Sequence, residues 1–186
     1  MIDIIAVTYG HNEILKCFIN SIKAQTNKNW RLVLIHDGLN INLFDDLTQN
    51  GYLHLDNIEF IQYSNQTKNY GHLLRKWALR NVVKNEYVLL TNGDNYYAPC
   101  MIDEVLKRKE DFIYFDCVHS HKGYQYFNSS LSIGNIDMGC AVINSKIAQE
   151  VGFNHVDYAA DWLYFSEVIM RSPSIYKIPK TLMVHN

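Results

Sequence analysis

The chain has 186 residues, of which 48% are apolar and 19% are charged, and its formal net charge is −2. This length is typical of one domain of roughly 100–200 residues, and the apolar content is sufficient for a sizeable core, which excludes a disordered chain. The 17 basic and 19 acidic residues are mixed along the sequence, so no basic stripe indicates a nucleic-acid-binding surface.

The first half of the chain alternates between strand-like and helix-like segments. Buried parallel strands are nearly continuous apolar runs, whereas amphipathic helices carry apolar residues three or four positions apart. We predict strands at 2–8, 30–36, 58–63 and 86–90, and helices at 13–25 and 71–84. Strands that are separated by helices indicate a parallel sheet with right-handed crossovers. The predicted fold class is therefore α/β, with a mostly parallel central sheet flanked by helices.

The second half of the chain is less regular. We predict strands at 112–118, 140–143, 174–178 and 182–185, and helices at 101–109 and 161–170. The segment 122–136 is rich in Gly, Ser, Asn and aromatic residues, which predicts a loop or a hairpin. Ser145 is predicted to cap a short helix that runs to Gly152. No linker separates the halves, so we expect them to share one sheet.

The cysteines and the N-terminal segment bear on the cellular compartment. The four cysteines show no C-x-x-C spacing, which argues against a zinc site, and we expect Cys17, Cys117 and Cys140 to be buried free thiols. The first residues include Asp3 and lack the basic start of a signal peptide. No apolar run approaches the roughly 20 residues of a membrane helix. We predict a cytoplasmic protein without a transmembrane segment, and peripheral membrane contact stays open.

Polar residues gather at the ends of three predicted strands. They are Thr8-Tyr9-Gly10-His11-Asn12 after the first strand, His36-Asp37-Gly38 after the second, and Thr91-Asn92-Gly93-Asp94-Asn95 after the fourth. Such residues are frequent in turns, so turn formation explains any one of these clusters. In an open parallel sheet, however, ligands bind beyond the carboxyl ends of the strands. Three clusters at one rim therefore predict a binding site there.

These clusters also match one protein family in order and spacing. Thr8-Tyr9 is similar to a P-T-Y-N opening, His36-Asp37-Gly38 to a D-D-G-S turn, and 86–95 with Pro99 to the segment G-E-Y-I-x-F-L-D-x-D-D-x-x-x-P. Three further segments match the same family. Gly71 has the spacing of the glycine that precedes the family's A-R-N helix, and Gly139-Cys140-Ala141 is similar to the small-residue stretch before its acceptor helix. Ala160-Asp161-Trp162 is similar to its E-D-W motif. The chain thus resembles the inverting family 2 glycosyltransferases, which have the Rossmann-like GT-A fold.

The resemblance implies a single domain over 1–186, with a nucleotide-binding half at 1–97 and an acceptor and catalytic half at 98–186. It implies transfer of a hexose from a UDP-sugar to a hydroxyl of a glycan, lipid or protein acceptor. By the same resemblance, Thr8, Tyr9 and Asp37 hold the nucleoside. An aromatic ring such as that of Tyr9 suits one face of uracil, and a carboxylate such as Asp37 suits the imide N–H.

A metal site is also implied by the resemblance, because the diphosphate concentrates negative charge that Mn²⁺ or Mg²⁺ offsets. The family's D-x-D is here Asn92-Gly93-Asp94. Asp94 takes the position of the direct metal ligand, and Asn92 can bind the ribose or a metal-bound water but adds no charge. His185 is a second possible ligand and otherwise part of a solvated tail. We expect weaker metal binding than at a site with two carboxylates.

The catalytic base is assigned to Asp161, which opens a predicted helix where terminal amides favour a carboxylate. Inverting transfer needs such a group to take the proton of the acceptor hydroxyl. Trp162 beside it is expected to form a sugar-stacking wall, or to lie in the core. The family's glutamate is replaced by Ala160, and Asp157 is the alternative base.

Several readings stay open at this point. A nucleotidyltransferase would need a Gly-rich basic loop after the first strand, which the chain lacks. A non-catalytic nucleotide-sugar-binding or scaffold protein of the same fold is the stronger alternative. His119-x-His121 can bind a metal or line an acceptor cleft, and Arg75 and Lys76 either approach the diphosphate or cover a helix face.

Overall fold

One mixed sheet runs through the computed structural model, which describes residues 1–10, 12–67, 69–157 and 159–186. The strands are β1 (Ile2–Thr8), β2 (Trp30–Asp37), β3 (Ile58–Tyr63), β4 (Tyr87–Asn92), β5 (Tyr96–Tyr97), β6 (Phe112–His119), β7 (Gln125–Phe127), β8 (Ala141–Asn144) and β9 (Ile175–His185). The helices are α1 (Asn12–Lys23), α2 (Ile41–Gln49), α3 (His72–Asn81), α4 (Met101–Leu106), α5 (Ser145–Val151) and α6 (Ala160–Arg171). The predicted α/β fold class is confirmed.

The strand order explains where a ligand site can form. The order across the sheet is β3-β2-β1-β4-β8-β6-β9-β5, and β7 pairs with β6. β1 pairs in parallel with both β2 and β4, and β2 pairs in parallel with β3. The chain moves outward from β1 to β3 and then places β4 on the other side of β1. A crevice opens at the carboxyl ends of strands where the order reverses in this way.

The second half of the chain continues the same sheet, as expected. β8 pairs antiparallel with both β4 and β6, and β6 pairs in parallel with β9. The sequence predicts two terminal strands, at 174–178 and 182–185, but the structure has a single strand there, β9. The register of β9 against β6 shifts between Ile178 and Thr181. Pro179 lies in this irregular segment, where its missing N–H costs no ladder hydrogen bond. None of the described helices is long and apolar enough to cross a membrane.

Two local expectations are corrected by the structure, and one helix was not predicted. Cys17 is exposed rather than buried, since it lies on the outer face of α1, whereas Cys117 and Cys140 are buried as predicted. The cap of α5 is Asn144, whose side chain accepts a hydrogen bond from the Lys146 amide at 3.1 Å, so the helix begins at the residue predicted to cap it. The sequence pattern also missed α2, whose exposed face carries apolar side chains that blur its periodicity.

Asp3 is a charged residue in the middle of the core. It is 0% exposed on the buried strand β1, and its carboxylate accepts hydrogen bonds from Arg31 Nε at 2.9 Å and from the amides of Lys84 and Asn85 at 2.7 and 2.9 Å. Burial alone would raise the pKa of Asp3, but the Lys84 and Asn85 donors and the Arg31 charge outweigh it and lower the pKa. Asp3 therefore ties β1 to β2 and to the segment before β4.

We expect Asp3→Asn to lower the free energy of unfolding by about 3 kcal/mol, because removing one member of a buried pair leaves Arg31 with only the exposed Glu59, at 3.8 Å, as an ionic partner among the described residues. The folded-state pKa lies below the ordinary value of 3.8, so this stabilisation is present above that pH and is lost as pH falls through the folded-state pKa. Urea denaturation at neutral and acidic pH measures both effects. Asp103→Asn, which removes an exposed pair with Lys107, should have a far smaller effect.

Candidate functional site

A cleft of about 540 Å³ opens beyond the carboxyl ends of β1, β2 and β4. Its lining contains Thr8, Tyr9, Asp37, Asn92, Gly93 and Asp94, together with Val7, Tyr70, Gly71 and Leu74. The structure thus brings six of the predicted site residues, from three strand ends, into one lining. His11, which belongs to the first predicted cluster, lies outside the described residues. The volume is within the range of roughly 300–1,000 Å³ that small-molecule sites occupy.

Two glycines allow backbone to form part of the cleft wall. A Cβ on Gly71 would lie 2.6 Å from Val7 Cγ2, and the residue has a φ of +75° that side chains rarely adopt. A Cβ on Gly93 would lie 2.9 Å from Leu15 Cδ1 and 3.0 Å from the Thr8 Cβ. Because side chains are excluded at both positions, a ligand in this cleft meets main-chain atoms there.

Tyr9 presents an aromatic ring at the cleft and is supported from behind by His36. The Tyr9 side chain is 57% exposed, and its ring stacks on that of the buried His36 with centroids 6.4 Å apart. His36 Nδ1 donates to the Gly38 carbonyl at 2.9 Å, so its Nε2 accepts from the Gly10 amide at 3.4 Å. This imidazole joins the loops after β1 and β2. Sequence reasoning gave His36 no separate role, since the contact is visible only when the two loops are adjacent.

Asp37 lies at the end of β2 and is 6% exposed. Its carboxylate accepts hydrogen bonds from the Thr67 amide at 2.7 Å and from the Thr67 hydroxyl at 3.1 Å. These bonds fasten the loop before α3 to the sheet edge, and that loop also carries Tyr70, which is 71% exposed and lines the cleft. Asp37 therefore holds this loop at the sheet edge while its side chain also lines the cleft.

Arg75 lies beneath the cleft wall and is 2% exposed. Its guanidinium donates to the Tyr70 carbonyl at 2.8 Å, to His72 Nδ1 at 3.2 Å and to the Asn92 side-chain oxygen. Because arginine has no acceptor, His72 Nδ1 must be unprotonated. Burial, followed by the Arg75 charge, lowers the pKa of His72 to about 4. His72 is therefore neutral at physiological pH. Arg75 was predicted either to approach the diphosphate or to cover a helix face, and its burial contradicts the second role.

Asp161 is placed next to this group by α6. Its Oδ1 lies 3.9 Å from His72 Nδ1, and its side chain is 38% exposed. Among the described residues, no group donates a hydrogen bond to this buried oxygen. Burial raises the pKa of Asp161, as does the Asp137 charge, while the Arg75 charge opposes them. A partly exposed carboxylate with a raised pKa is suited to accept a proton.

The other two residues predicted near the base have different environments. Asp157 is exposed, and its Oδ1 accepts from the Ala159 amide at 3.0 Å, so it caps the turn before α6. Trp162 is half-buried and packs against the core. The described lining of the 540 Å³ cleft does not include it.

A second cleft of about 350 Å³ lies at the carboxyl ends of β6 and β9, which run parallel to β4. It is lined by His119, His121, Lys122, Phe127, Gly134, Ile136, Asp137 and His185. His185 Nδ1 lies 2.6 Å from Asp137 Oδ2 and its ring stacks on His119, with centroids 4.9 Å apart. The Asp137 contact raises the pKa of His185, and the Asp94 charge contributes. The His119-x-His121 pair was predicted to bind a metal or to line an acceptor cleft, and both histidines line this cleft.

Asp137 is a site residue that sequence reasoning missed, because it follows an irregular segment without a motif. Burial alone would raise its pKa, but His185 and the Gly139 amide, which donates at 2.9 Å, lower it. Asp137 is also among the charges that act on Arg75 and on Asp161. It therefore lies within electrostatic range of both Arg75 and Asp161.

The ligand types at Asp94 and His185 fit Mn²⁺ or Mg²⁺, although no metal cage is preformed. Among the described residues, no group of three or more His, Cys, Asp or Glu side chains is arranged to hold a metal ion. Such an ion is often held through one or two carboxylates, with substrate phosphates and water completing its coordination. Asp94 lines the first cleft and His185 the second, where its Nδ1 is paired with Asp137.

Comparison with known proteins identifies the fold. The crystal structure of S. aureus TarS 1-349 matches with a TM-score of 0.79 at 14% identity, covering 100% of this chain and 60% of that chain. The same fragment in complex with UDP-GlcNAc has a TM-score of 0.79 at 14% identity, covering 98% and 57%. The mannosyltransferase PcManGT from Pyrobaculum calidifontis, in complex with GDP-Man and Mn²⁺, has a TM-score of 0.75 at 14% identity, covering 99% and 56%.

These matches show a GT-A-like glycosyltransferase fold, which confirms the predicted fold. No family model matches the chain, and no curated protein matches it. The chain spans about 60% of the length of TarS 1-349.

Proposed function

We propose that the chain is a metal-dependent inverting glycosyltransferase that moves a hexose from a UDP-sugar to an acceptor hydroxyl. The observation that carries the proposal is the cleft itself, which gathers Tyr9, Asp37 and Asp94 at the strand-order reversal of a GT-A-like fold. TarS and PcManGT, which share this fold, have structures with UDP-GlcNAc and with GDP-Man and Mn²⁺. A nucleotide-sugar donor in this cleft is consistent with both.

The donor would lie with its nucleoside at the β1 and β2 ends and its diphosphate at the β4 end. The exposed Tyr9 ring stacks on the base, and Asp37 accepts a hydrogen bond from the base or ribose. Asn92, Gly93 and Asp94 then face the ribose and the diphosphate. Asp94, with His185 as a second ligand, would hold Mn²⁺ or Mg²⁺, which supplies charge compensation for the departing diphosphate.

Asp161 acts as the base in the transfer. It takes the proton of the acceptor hydroxyl while that oxygen bonds to the anomeric carbon, and the bond from that carbon to the diphosphate breaks. Attack from the face opposite the leaving group inverts the configuration. The acceptor is a hydroxyl of a glycan, lipid or protein. The second cleft, at the carboxyl ends of β6 and β9, supports approach of the acceptor from that side.

A thermal-shift screen tests the donor assignment. UDP-, GDP-, CDP- and TDP-sugars are added with and without Mn²⁺, and we expect a UDP-sugar with metal to raise the Tm. Tyr9→Ala should weaken UDP-sugar binding about tenfold, because base stacking on an aromatic ring contributes roughly 1–3 kcal/mol. Tyr124→Ala removes a similarly exposed ring from the other half of the chain and is the control. If no nucleotide sugar changes the Tm under any condition, the transferase proposal is wrong.

The alternative is a non-catalytic nucleotide-sugar-binding or scaffold protein of the same fold. Two features favour it, namely Asn92 at the first D-x-D position and Ala160 in place of the glutamate. Both proposals expect donor binding, so binding alone does not separate them. Release of free sugar from the bound donor over hours would support the enzyme, and a stable donor complex would support the binding protein.

A further inference from the structure

Arg75 is a buried cation that is held by uncharged groups. Its three hydrogen-bond acceptors are the Tyr70 carbonyl, the neutral His72 ring and the Asn92 amide oxygen. Burying a charge is costly unless other charges or dipoles compensate it. Asp161, Asp137 and Asp94 act on Arg75 through their charges, while its direct partners are dipoles. Its positive charge is thus stabilised without being cancelled by a contacting carboxylate.

The position of the guanidinium relates it to the cleft. Tyr70 and Asn92, which accept two of its hydrogen bonds, both line the cleft. A Cβ on Gly71, another lining residue, would lie 3.4 Å from Arg75 Nη1. The guanidinium therefore lies in direct contact with residues that line the cleft, at its β4 end. Charges interact strongly across such short, poorly solvated distances.

We propose that Arg75 is a fixed positive charge for the diphosphate of the donor, and that Asn92 keeps this charge available because it binds the guanidinium without neutralising it. The inference rests on the proposed function. A carboxylate at position 92 would form an ion pair through the same contact and cancel most of the field in the cleft. Asn92 is therefore a positioning residue. With Asn92 in place, binding of the diphosphate depends less on metal than it would with an aspartate at position 92.

The test is isothermal titration of the wild type and of Asn92→Asp with UDP and with uridine, each in EDTA and in Mn²⁺. In EDTA, we expect Asn92→Asp to weaken UDP binding about tenfold, since a short-range charge interaction is removed, and to leave uridine binding unchanged. Mn²⁺ should restore UDP binding to the variant. Asn81→Asp adds the same charge at the exposed end of α3 and should bind UDP as the wild type does in both conditions.

Arg75→Gln provides a second variant, because it removes the positive charge while keeping a hydrogen-bonding side chain. It should lose UDP affinity in EDTA to a similar extent, and retained uridine binding shows that its cleft is folded. The inference is overturned, with the proposed function intact, if Asn92→Asp binds UDP in EDTA as tightly as the wild type. If the wild type binds neither UDP nor uridine in either condition, the proposed function and the inference both fail.

Discussion

Asp161→Asn is expected to lower the rate of glycosyl transfer about a thousandfold, because general-base catalysis contributes roughly 10²–10⁴ and an amide cannot take the proton. Donor binding should change little, since Asp161 lies on α6 outside the described lining of the nucleotide cleft. Product formation and the Kd for the UDP-sugar, measured on the same protein, separate the two effects. A loss of donor binding equal to the loss of rate would contradict the assignment.

The pH profile gives a second readout of the same residue. Burial raises the pKa of Asp161 above the ordinary value of 3.8, and the base must be deprotonated to act. The transfer rate should therefore fall as pH drops through this raised pKa, at a pH above 3.8. Asp157→Asn is the matched variant, since it changes the alternative carboxylate in the exposed turn before the same helix. If the fall in transfer rate at low pH disappears in Asp157→Asn and persists in Asp161→Asn, Asp157 is the base.

Asp94→Asn is expected to abolish the response of donor binding and transfer to Mn²⁺, with a fall in rate of about a hundredfold. The reason is that Asp94 is the carboxylate of the Asn92-Gly93-Asp94 run, and metal compensation of the leaving group contributes several kcal/mol. Initial rates across a Mn²⁺ titration measure the effect. Asp45→Asn removes an exposed carboxylate of α2 and should leave the titration curve unchanged. A normal Mn²⁺ response in Asp94→Asn would show that other groups hold the metal.

The success of the fold prediction has a local cause. The strands Ile2–Thr8 and Ile58–Tyr63 have the predicted bounds, and most other predicted elements differ from the structure by one to three residues at their ends. Buried parallel strands must be apolar on both faces, so their sequences differ from everything around them. The same signal fails for α2 and for β9, where a half-exposed helix and a proline-containing strand break the pattern.

The sequence by itself determined that Thr8, Asp37 and Asn92 share one rim, because the carboxyl ends of parallel strands lie at the same edge of a sheet. Only the tertiary structure decided that Arg75 meets Asn92 and that His185 meets Asp137. Hydrophobic periodicity specifies which face of an element is buried. It does not specify which polar side chains from distant segments come into contact, and that depends on how the loops and the ends of β6 and β9 pack.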